Sequence, residues 1–112
     1  MAIRMTKPWT ALTVENVKKL PGQLGVFQLA DTAGQVVFIG FGGGRSLFGV
    51  RSEIEKLLVA PPVGATQFRV EINQQYTTRY QELLMLHVHD HGAVPSGNLG
   101  KPLPTLGRLS PL

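Results

Sequence analysis

The chain has 112 residues, a length typical of one domain, and it contains no cysteine. Disulfide bonds, thiolate metal sites and thiol nucleophiles are therefore excluded, which favours a reducing, cytoplasmic environment. The formal net charge of +4 favours acidic partners such as DNA or RNA, but charged residues make up only 16% of the chain. No apolar stretch is long enough for a signal peptide or a bilayer span, so we expect no membrane partner.

The first predicted elements are a short helix and a β-hairpin. Residues 1–9 are expected to form an arm, and Thr13 to cap a helix that continues to Lys19. The stretch Gly25–Ala30 is predicted as a strand, and the apolar run 36–39 as the returning strand, buried on both faces. The sequence Asp-Thr-Ala-Gly between them is typical of a tight turn.

Three consecutive glycines, Gly42, Gly43 and Gly44, precede Arg45 and the predicted start of a second helix. Ser46 is the candidate cap of this helix. Apolar residues then recur at helical spacing: Leu47, Val50, Ile54, Leu57 and Leu58. Glycine amides next to a helix start favour an anion site that includes Arg45, and the alternative is a flexible connection between strand and helix.

The rest of the chain predicts one strand, one helix and a tail. Residues 67–72 alternate between apolar and polar, which is typical of a half-exposed strand. The last helix is expected to end near His89 and to carry one common face: Tyr76, Tyr80, Leu83, Leu84 and His87. We expect residues 10–98 to form the domain and residues 99–112, rich in Pro and Gly, to form a C-terminal tail. The fold class is therefore α+β, with a small, mainly antiparallel, three-stranded sheet flanked by helices.

Two tripeptides of the hairpin resemble the paired signature of the GIY-YIG nuclease superfamily. They are Gly25-Val26-Phe27 and, after ten residues, Phe38-Ile39-Gly40. The elements that follow are also similar to this family: a helix bearing an arginine, a strand, and a helix bearing a glutamate. Here these residues are Arg51 and Glu82, and Asn98 resembles an asparagine that the family often has beyond the last helix. The resemblance covers most of the chain.

The resemblance implies metal-assisted phosphodiester hydrolysis, with Arg51 on the phosphate and Glu82 as the ligand of a Mg²⁺ ion. These two residues are the catalytic candidates. Phe27 and Phe38 stand where the family has tyrosines, and a phenyl ring cannot accept a proton or bind a water. We therefore expect a catalytically degenerate domain that binds nucleic acid or another phosphate ligand through residues 42–45 and Arg51. Mg²⁺ would be needed only for catalysis.

Two other functions stay open. One is an active Mg²⁺-dependent endonuclease that positions water through another group, such as Tyr80 or His87. The other is a structural or protein-interaction domain, which the modest charge density supports. The candidate residues also have structural alternatives, because Arg51 is spaced to pair with Glu55 on its helix, and Glu82 with Arg79.

Three histidines near the end of the last helix, His87, His89 and His91, have two interpretations. Two of them are spaced to share a helix face as metal ligands would, whereas histidines at a helix C-terminus also suit the helix dipole. The phenylalanines also have two interpretations: they could stack on bases, or they belong to the core. They are Phe27, Phe38, Phe41 and Phe48, of which Phe41, next to the glycines, is the one expected to be exposed. Trp9 either anchors the N-terminal arm or faces a partner.

Overall fold

The computed structural model describes residues 3–101. In chain order this part contains β1 (Thr10–Ala11), α1 (Val14–Lys18), β2 (Gly25–Ala30), β3 (Val36–Gly42), α2 (Gly49–Val59), β4 (Gln67–Ile72), α3 (Tyr76–His91) and a 3₁₀ helix (Ser96–Asn98). The predicted α+β class is confirmed. Of the predicted tail 99–112, residues from 102 onward lie outside the described part of the chain. No helix within residues 3–101 is both long and apolar enough to cross a bilayer.

The strands form one antiparallel sheet in the order β1-β4-β2-β3. The central strand is β2, in which Phe27 is paired with Gly40 of β3 and with Val70 of β4. The sheet has one strand more than the three predicted, since β1 adds two residues to the outer edge of β4. So short a strand leaves no periodicity in the sequence. At the opposite border of the sheet, β3 carries the first glycine of the glycine run.

Two local predictions about chain reversals and caps are confirmed. The Thr13 hydroxyl accepts a hydrogen bond from the Asn16 N–H at 3.1 Å and so caps α1. In the hairpin turn, a carboxylate oxygen of Asp31 accepts from the Gln35 N–H at 2.9 Å. Gly34 takes a φ of +86°, a conformation that favours glycine.

The core consists of two apolar layers, one on each face of the sheet. The layer under α1 and α2 includes Phe27 and Phe38, which are 1% and 8% exposed and have ring centroids 5.9 Å apart. The layer under α3 contains Met5, Val26, Ile39, Tyr80, Leu83 and Leu84. Because both faces are covered, the six residues of β2 are all buried, and the predicted burial of β3 on both faces is confirmed for residues 37–39.

The start of α2 differs from the prediction. Its first residue is Gly49, whose φ of +54° cannot continue a right-handed helix toward the N-terminus. Ser46 is therefore not a cap, and its hydroxyl instead donates to Glu53 at 2.7 Å. Leu47 precedes the helix and is 83% exposed, so its assignment to the apolar face was wrong. The N-terminal residue of the helix lies against Gly42, where a Cβ atom would overlap the Gly49 backbone.

The segment before β1 lies against the sheet and α3. Met5 is buried in the α3 layer, and Arg4 forms an ion pair with Asp90 near the end of α3. The Arg69 guanidinium donates to the Lys7 carbonyl and lies 4.0 Å from the centroid of the Trp9 ring. Trp9 thus contacts the sheet, as the first of its two interpretations expected.

Candidate functional site

An open groove of about 800 Å³ lies along the β3 edge, between α2 and α3. Its volume is in the usual range for sites that hold a small ligand. The aromatic residues that line it are Phe27, Phe38, Phe41, Tyr76 and Tyr80. The charged residues that line it are Arg45, Glu53, Lys56 and Lys101. The groove therefore combines aromatic rings with an excess of positive charge.

Phe41 is the exposed ring of the groove. It is 41% exposed, as the sequence predicted, although it belongs to β3. Its ring stacks on Tyr76, with centroids 5.6 Å apart and planes 17° apart, and lies 4.8 Å from the Tyr80 ring. The Tyr76 hydroxyl accepts from the Gly44 N–H at 3.2 Å. Two tyrosines of α3 thus hold the phenyl ring of Phe41 in place at the groove.

The positive charges of the groove are only partly neutralised. Glu53 accepts hydrogen bonds from Ser46 and, at 3.1 Å, from Lys56, so its carboxylate already has a cationic partner. Within residues 3–101, neither Arg45 nor Lys101 forms an ion pair. Both are exposed, and the Lys101 ammonium lies 5.9 Å from the centroid of the Phe38 ring. These two cations are the ones available to an anionic ligand.

Asn98 closes the wall of the groove at the β3 edge. Its amide oxygen accepts from the Ile39 N–H and its amide nitrogen donates to the Ile39 carbonyl, both at 2.9 Å. The residue is 1% exposed, so the side chain takes the place of a further strand at this position. Burial raises the pKa of the neighbouring Tyr80. A hydrogen bond with Asn98 lowers the same pKa, but by less, so the pKa stays above its ordinary value. The phenol is therefore protonated at neutral pH.

The structure brings together five of the predicted site residues. Phe27, Phe38, Gly43, Gly44 and Arg45 all line the groove. The two phenylalanines lie deep in the core, whereas Gly44 and Arg45 are exposed. Position 43 requires a glycine for steric reasons, because a Cβ atom there would come 2.8 Å from the Tyr76 ring. The glycine run is therefore a closely packed connection as well as part of the groove.

Gly42 and Arg51 were predicted for the same site, but neither lines the groove. Gly42 is buried against the N-terminus of α2. The Arg51 guanidinium lies over the ring of Phe48, 4.4 Å from its centroid. The alternative ion pair with Glu55 was also wrong, since none forms between these two residues. The aromatic face next to the start of α2 attracts the guanidinium instead.

Glu82 also lies outside the groove, in a cluster of charges that we call the ionic cluster: Glu71, Arg79 and Glu82. The Arg79 guanidinium contacts Glu71 at 2.8 Å and Glu82 at 3.3 Å, so the alternative pairing of Glu82 with Arg79 is confirmed. Burial alone would raise the pKa of Glu71, but hydrogen bonds from Arg79 and Asn73 hold it below its ordinary value. Positions 80 and 82 of α3 are about 200° apart around the helix, which directs Glu82 away from Tyr80 and the groove.

The residues present do not fit the Mg²⁺ site that the resemblance implies. The Glu82 carboxylate is turned toward a guanidinium, which repels a cation. Within residues 3–101, no group of three or more His, Asp or Glu side chains is arranged to hold a metal ion.

The histidines lie at the end of α3, which extends to His91 and ends with Gly92 at a φ of +80°. The rings of His87 and His91 are 4.3 Å apart, so these two residues share a helix face as predicted. The Nδ1 atom of His87 lies 2.8 Å from the Ala93 carbonyl oxygen. Burial lowers the pKa of His87. Within residues 3–101 no third ligand accompanies the pair. The lowered pKa favours the neutral form of His87, which gains less from the helix dipole than a charged imidazole would.

Sequence reasoning missed Tyr76, Lys56 and Lys101 as groove residues. Tyr76 and Tyr80 are four residues apart, which predicted a common helix face but not that this face meets Phe41. The contact arises because β3 continues to Gly42, three residues beyond its apolar run, which carries Phe41 to the edge of the sheet. Nothing in the sequence singled out the two lysines, since they come from separate elements.

Comparison with known proteins gives a family but no function. No curated protein matches the chain. The model of one protein family, described as "Domain of unknown function (DUF7508)", matches residues 3–90. This range contains the whole sheet, α1 and α2, and nearly all of α3, and it ends before Asn98 and Lys101. The chain therefore belongs to the DUF7508 family.

Proposed function

We propose that the domain binds nucleic acid, or another phosphate-bearing ligand, in the groove between α2 and α3, and does not cut it. One observation carries this proposal: the exposed ring of Phe41 lies in the same groove as Arg45 and Lys101, two cations without ionic partners among the described residues. Cationic side chains supply most of the affinity for a phosphate backbone, and aromatic rings contact bases.

We also propose that the domain is a degenerate relative of the GIY-YIG nucleases. Two features support this part of the proposal: the order hairpin, helix, strand, helix, and the position of Phe27 and Phe38 in the groove lining. Phenyl groups at these positions leave the site without the tyrosine hydroxyls of the family. Binding without hydrolysis is the function that this lining favours. A cytoplasmic location, expected from the lack of cysteine, remains part of this proposal.

Binding as a function of salt tests the phosphate contacts. Labelled DNA and RNA strands would be titrated with the protein at several ionic strengths between about 50 and 200 mM, because affinity from phosphate contacts falls steeply over this range. We expect a linear decrease of log affinity with log salt. Affinity that does not change with salt would contradict phosphate binding, and absence of binding would favour a structural or protein-interaction role.

Charge-matched variants locate the binding site. Arg45→Ala and Lys101→Ala should each weaken binding and lower the salt slope by about 1. Lys18→Ala removes the same charge from an exposed position of α1, outside the groove, and should leave the slope unchanged. Arg51→Ala separates the site that the resemblance implied from the groove, because Arg51 covers Phe48. If Arg51→Ala abolishes binding and Arg45→Ala does not, the groove is the wrong site.

An active nuclease is the second candidate, and one observation favours it: Tyr80, a residue with a hydroxyl group, lines the groove. Two observations oppose it, since burial raises the pKa of this phenol and Glu82 lies outside the groove. Labelled single-stranded, duplex and branched substrates would be incubated with the protein in Mg²⁺ or Mn²⁺, next to Glu82→Ala. We expect no cleavage. Cleavage by the wild type that Glu82→Ala loses would overturn the binding-only function.

Loss of the two signature hydroxyls can be tested by restoring them. In the double variant Phe27→Tyr, Phe38→Tyr, cleavage that appears only after substitution would support descent from a nuclease. A folded but inert double variant would mean that the missing tyrosines are not the whole reason for inactivity. Circular dichroism would establish that the fold is intact, because both rings belong to the core.

A further inference from the structure

We infer that the groove selects single-stranded nucleic acid, because Phe41 forms a stacking platform for an unpaired base. This inference rests on the proposed function, since it names the class of ligand for the same groove. A free phosphate, a duplex and a single strand all carry the charge that Arg45 and Lys101 would attract. They differ in whether they can offer the face of a base to an aromatic ring.

The ring of Phe41 is held in a fixed position by its neighbours. Its ring is stacked on Tyr76 and lies against Tyr80, and Tyr76 is in turn fixed by its hydrogen bond with the Gly44 N–H. The side chain nevertheless stays 41% exposed. A ring held in place by two others loses little conformational freedom when a base stacks on it, which keeps the entropic cost of binding low.

The two cations of the groove, Arg45 and Lys101, come from different parts of the chain. Arg45 follows the platform by four residues, and Lys101 contributes to the lining from beyond the 3₁₀ helix, near Phe38. A nucleotide whose base lies on Phe41 therefore has a cation available to its phosphate on more than one element of the groove. Single-strand binding sites are built in this way, from stacking rings and a positively charged groove that follows the backbone.

A duplex is a poorer ligand for this groove than a single strand. In a duplex, each base is stacked on its neighbours and paired, so its face is not available to a protein ring without flipping. Phe41 lies in a groove between two helices. A duplex could contact Arg45 through its phosphates, but none of its bases would stack on the Phe41 ring. A single strand uses both the ring and the cations, which makes it the favoured ligand.

Three ligands of equal length separate base stacking from phosphate contact in the wild-type protein. They are an oligothymidylate of about 12 nucleotides, within the range of known site sizes, an abasic strand with the same number of phosphates, and a duplex. Binding would be followed by fluorescence anisotropy. We expect the oligothymidylate to bind about tenfold more tightly than the abasic strand, the magnitude expected for one stacked base, and more tightly than the duplex. Thymidine monophosphate, added as a competitor, tests whether one nucleotide accounts for the affinity.

Substitution of the ring gives the second test. Phe41→Ala should remove the difference between the thymidylate and the abasic strand, and Phe41→Trp should restore it with quenching of the new indole by the stacked base. Phe48→Ala is the matched control, because Phe48 has similar exposure, 44%, but does not line the groove. It should leave the difference intact. Because the comparison of ligands uses the wild type, the test remains decisive if Phe41→Ala folds poorly.

The outcomes distinguish this inference from the proposed function. Equal, salt-dependent affinity for the thymidylate and the abasic strand, lost in Arg45→Ala, would keep the phosphate site and overturn base stacking. Tighter binding of the duplex than of the thymidylate would also overturn it. Absence of binding to every phosphate ligand would overturn both the inference and the proposed function.

Discussion

The groove beside β3 and the ionic cluster beside β4 both contain basic residues, but the charges are used differently. In the ionic cluster, the Arg79 side chain is only 11% exposed and contacts two carboxylates and the Ile3 carbonyl. In the groove, Arg45 is exposed and has no ionic partner among the described residues. The first arginine makes four hydrogen bonds within the protein. The second is exposed and has no ionic partner among residues 3–101, so its guanidinium is available to a ligand.

This difference shows why a motif residue can have a structural role. Glu82 is the glutamate that the resemblance made a metal ligand, yet it lies within reach of Arg79, one helical turn earlier. A carboxylate paired with an arginine contributes to stability and holds no cation. The partners within contact distance, more than the residue type, decide whether a charged side chain serves the fold or a ligand.

Removing the arginine of the ionic cluster should have the largest effect. Arg79→Met keeps the aliphatic part of the side chain but leaves Glu71 partly buried without its cation. We expect the free energy of unfolding to fall by about 3 kcal/mol, near the lower limit for breaking a buried ion pair. Urea denaturation measures it. Arg51→Met is the control, where loss of the cation–π contact between half-buried Arg51 and exposed Phe48 should cost about 0.5 kcal/mol. Equal losses in the two variants would contradict a special role of the cluster.

The contribution of Glu71 to the pH dependence of stability should change sign in the variant Arg79→Met. Ionisation of this carboxyl stabilises the wild type and should destabilise the variant. In the wild type its pKa lies below its ordinary value of 4.5, so its contribution is present above pH 4.5 and is lost as the pH falls through the lowered pKa. Burial is already the largest single influence on this carboxyl, and in Arg79→Met only Asn73 and Lys7 still oppose it. We therefore expect the pKa to rise, so that protonation of Glu71 favours the folded state. Thermal unfolding between about pH 3 and about pH 6 would cover both the loss in the wild type below pH 4.5 and the change in the variant above it. Parallel pH profiles for the two proteins would show that Arg79 does not set the ionisation of Glu71.

The sequence predicted the elements better than it predicted the site. The bounds of β2 and β4 follow from apolar runs and alternation, and the cap of α1 from Thr13, since these signals are local. The start of α2 was missed because it depends on how closely Gly42 approaches Gly49 across the connection. The groove was only partly predicted, because its wall at Asn98 comes from a segment 59 residues away from its partner Ile39. Contacts across such distances leave no periodic signal in one sequence.

Removing the amide that closes the groove should have the second largest effect. Asn98→Ala leaves the N–H and the carbonyl of Ile39 without their side-chain partner at the β3 edge. We expect a loss of about 2 kcal/mol, because unsatisfied buried polar groups are costly, although water entering from the groove offsets part of the penalty. Asn16→Ala is the control, since it loses one more accessible bond to Ala11 and should cost less than about 1 kcal/mol.

Hydrogen exchange gives this prediction a local readout. In the wild type, the Ile39 amide donates to Asn98 and should exchange slowly although β3 is at the sheet border. In Asn98→Ala it should exchange much faster, while amides of the central strand β2 change only as far as global stability does. Protection of Ile39 that survives the substitution would mean that another group covers the β3 edge.

Substitution of Arg45, the arginine of the groove, should have the smallest effect on stability. This result would most clearly distinguish Arg45 from Arg79 of the ionic cluster. Arg45→Met removes an exposed guanidinium that has no ionic partner among residues 3–101, so we expect the free energy of unfolding to change by less than about 0.5 kcal/mol. Urea denaturation in parallel with Arg79→Met measures the contrast. A loss above about 1 kcal/mol would mean that the protein itself uses this cation and that it is not available to a ligand. A neutral result together with weaker binding of nucleic acid would separate the two roles of arginine, because a side chain that contributes nothing to the fold but strengthens binding must act on the ligand.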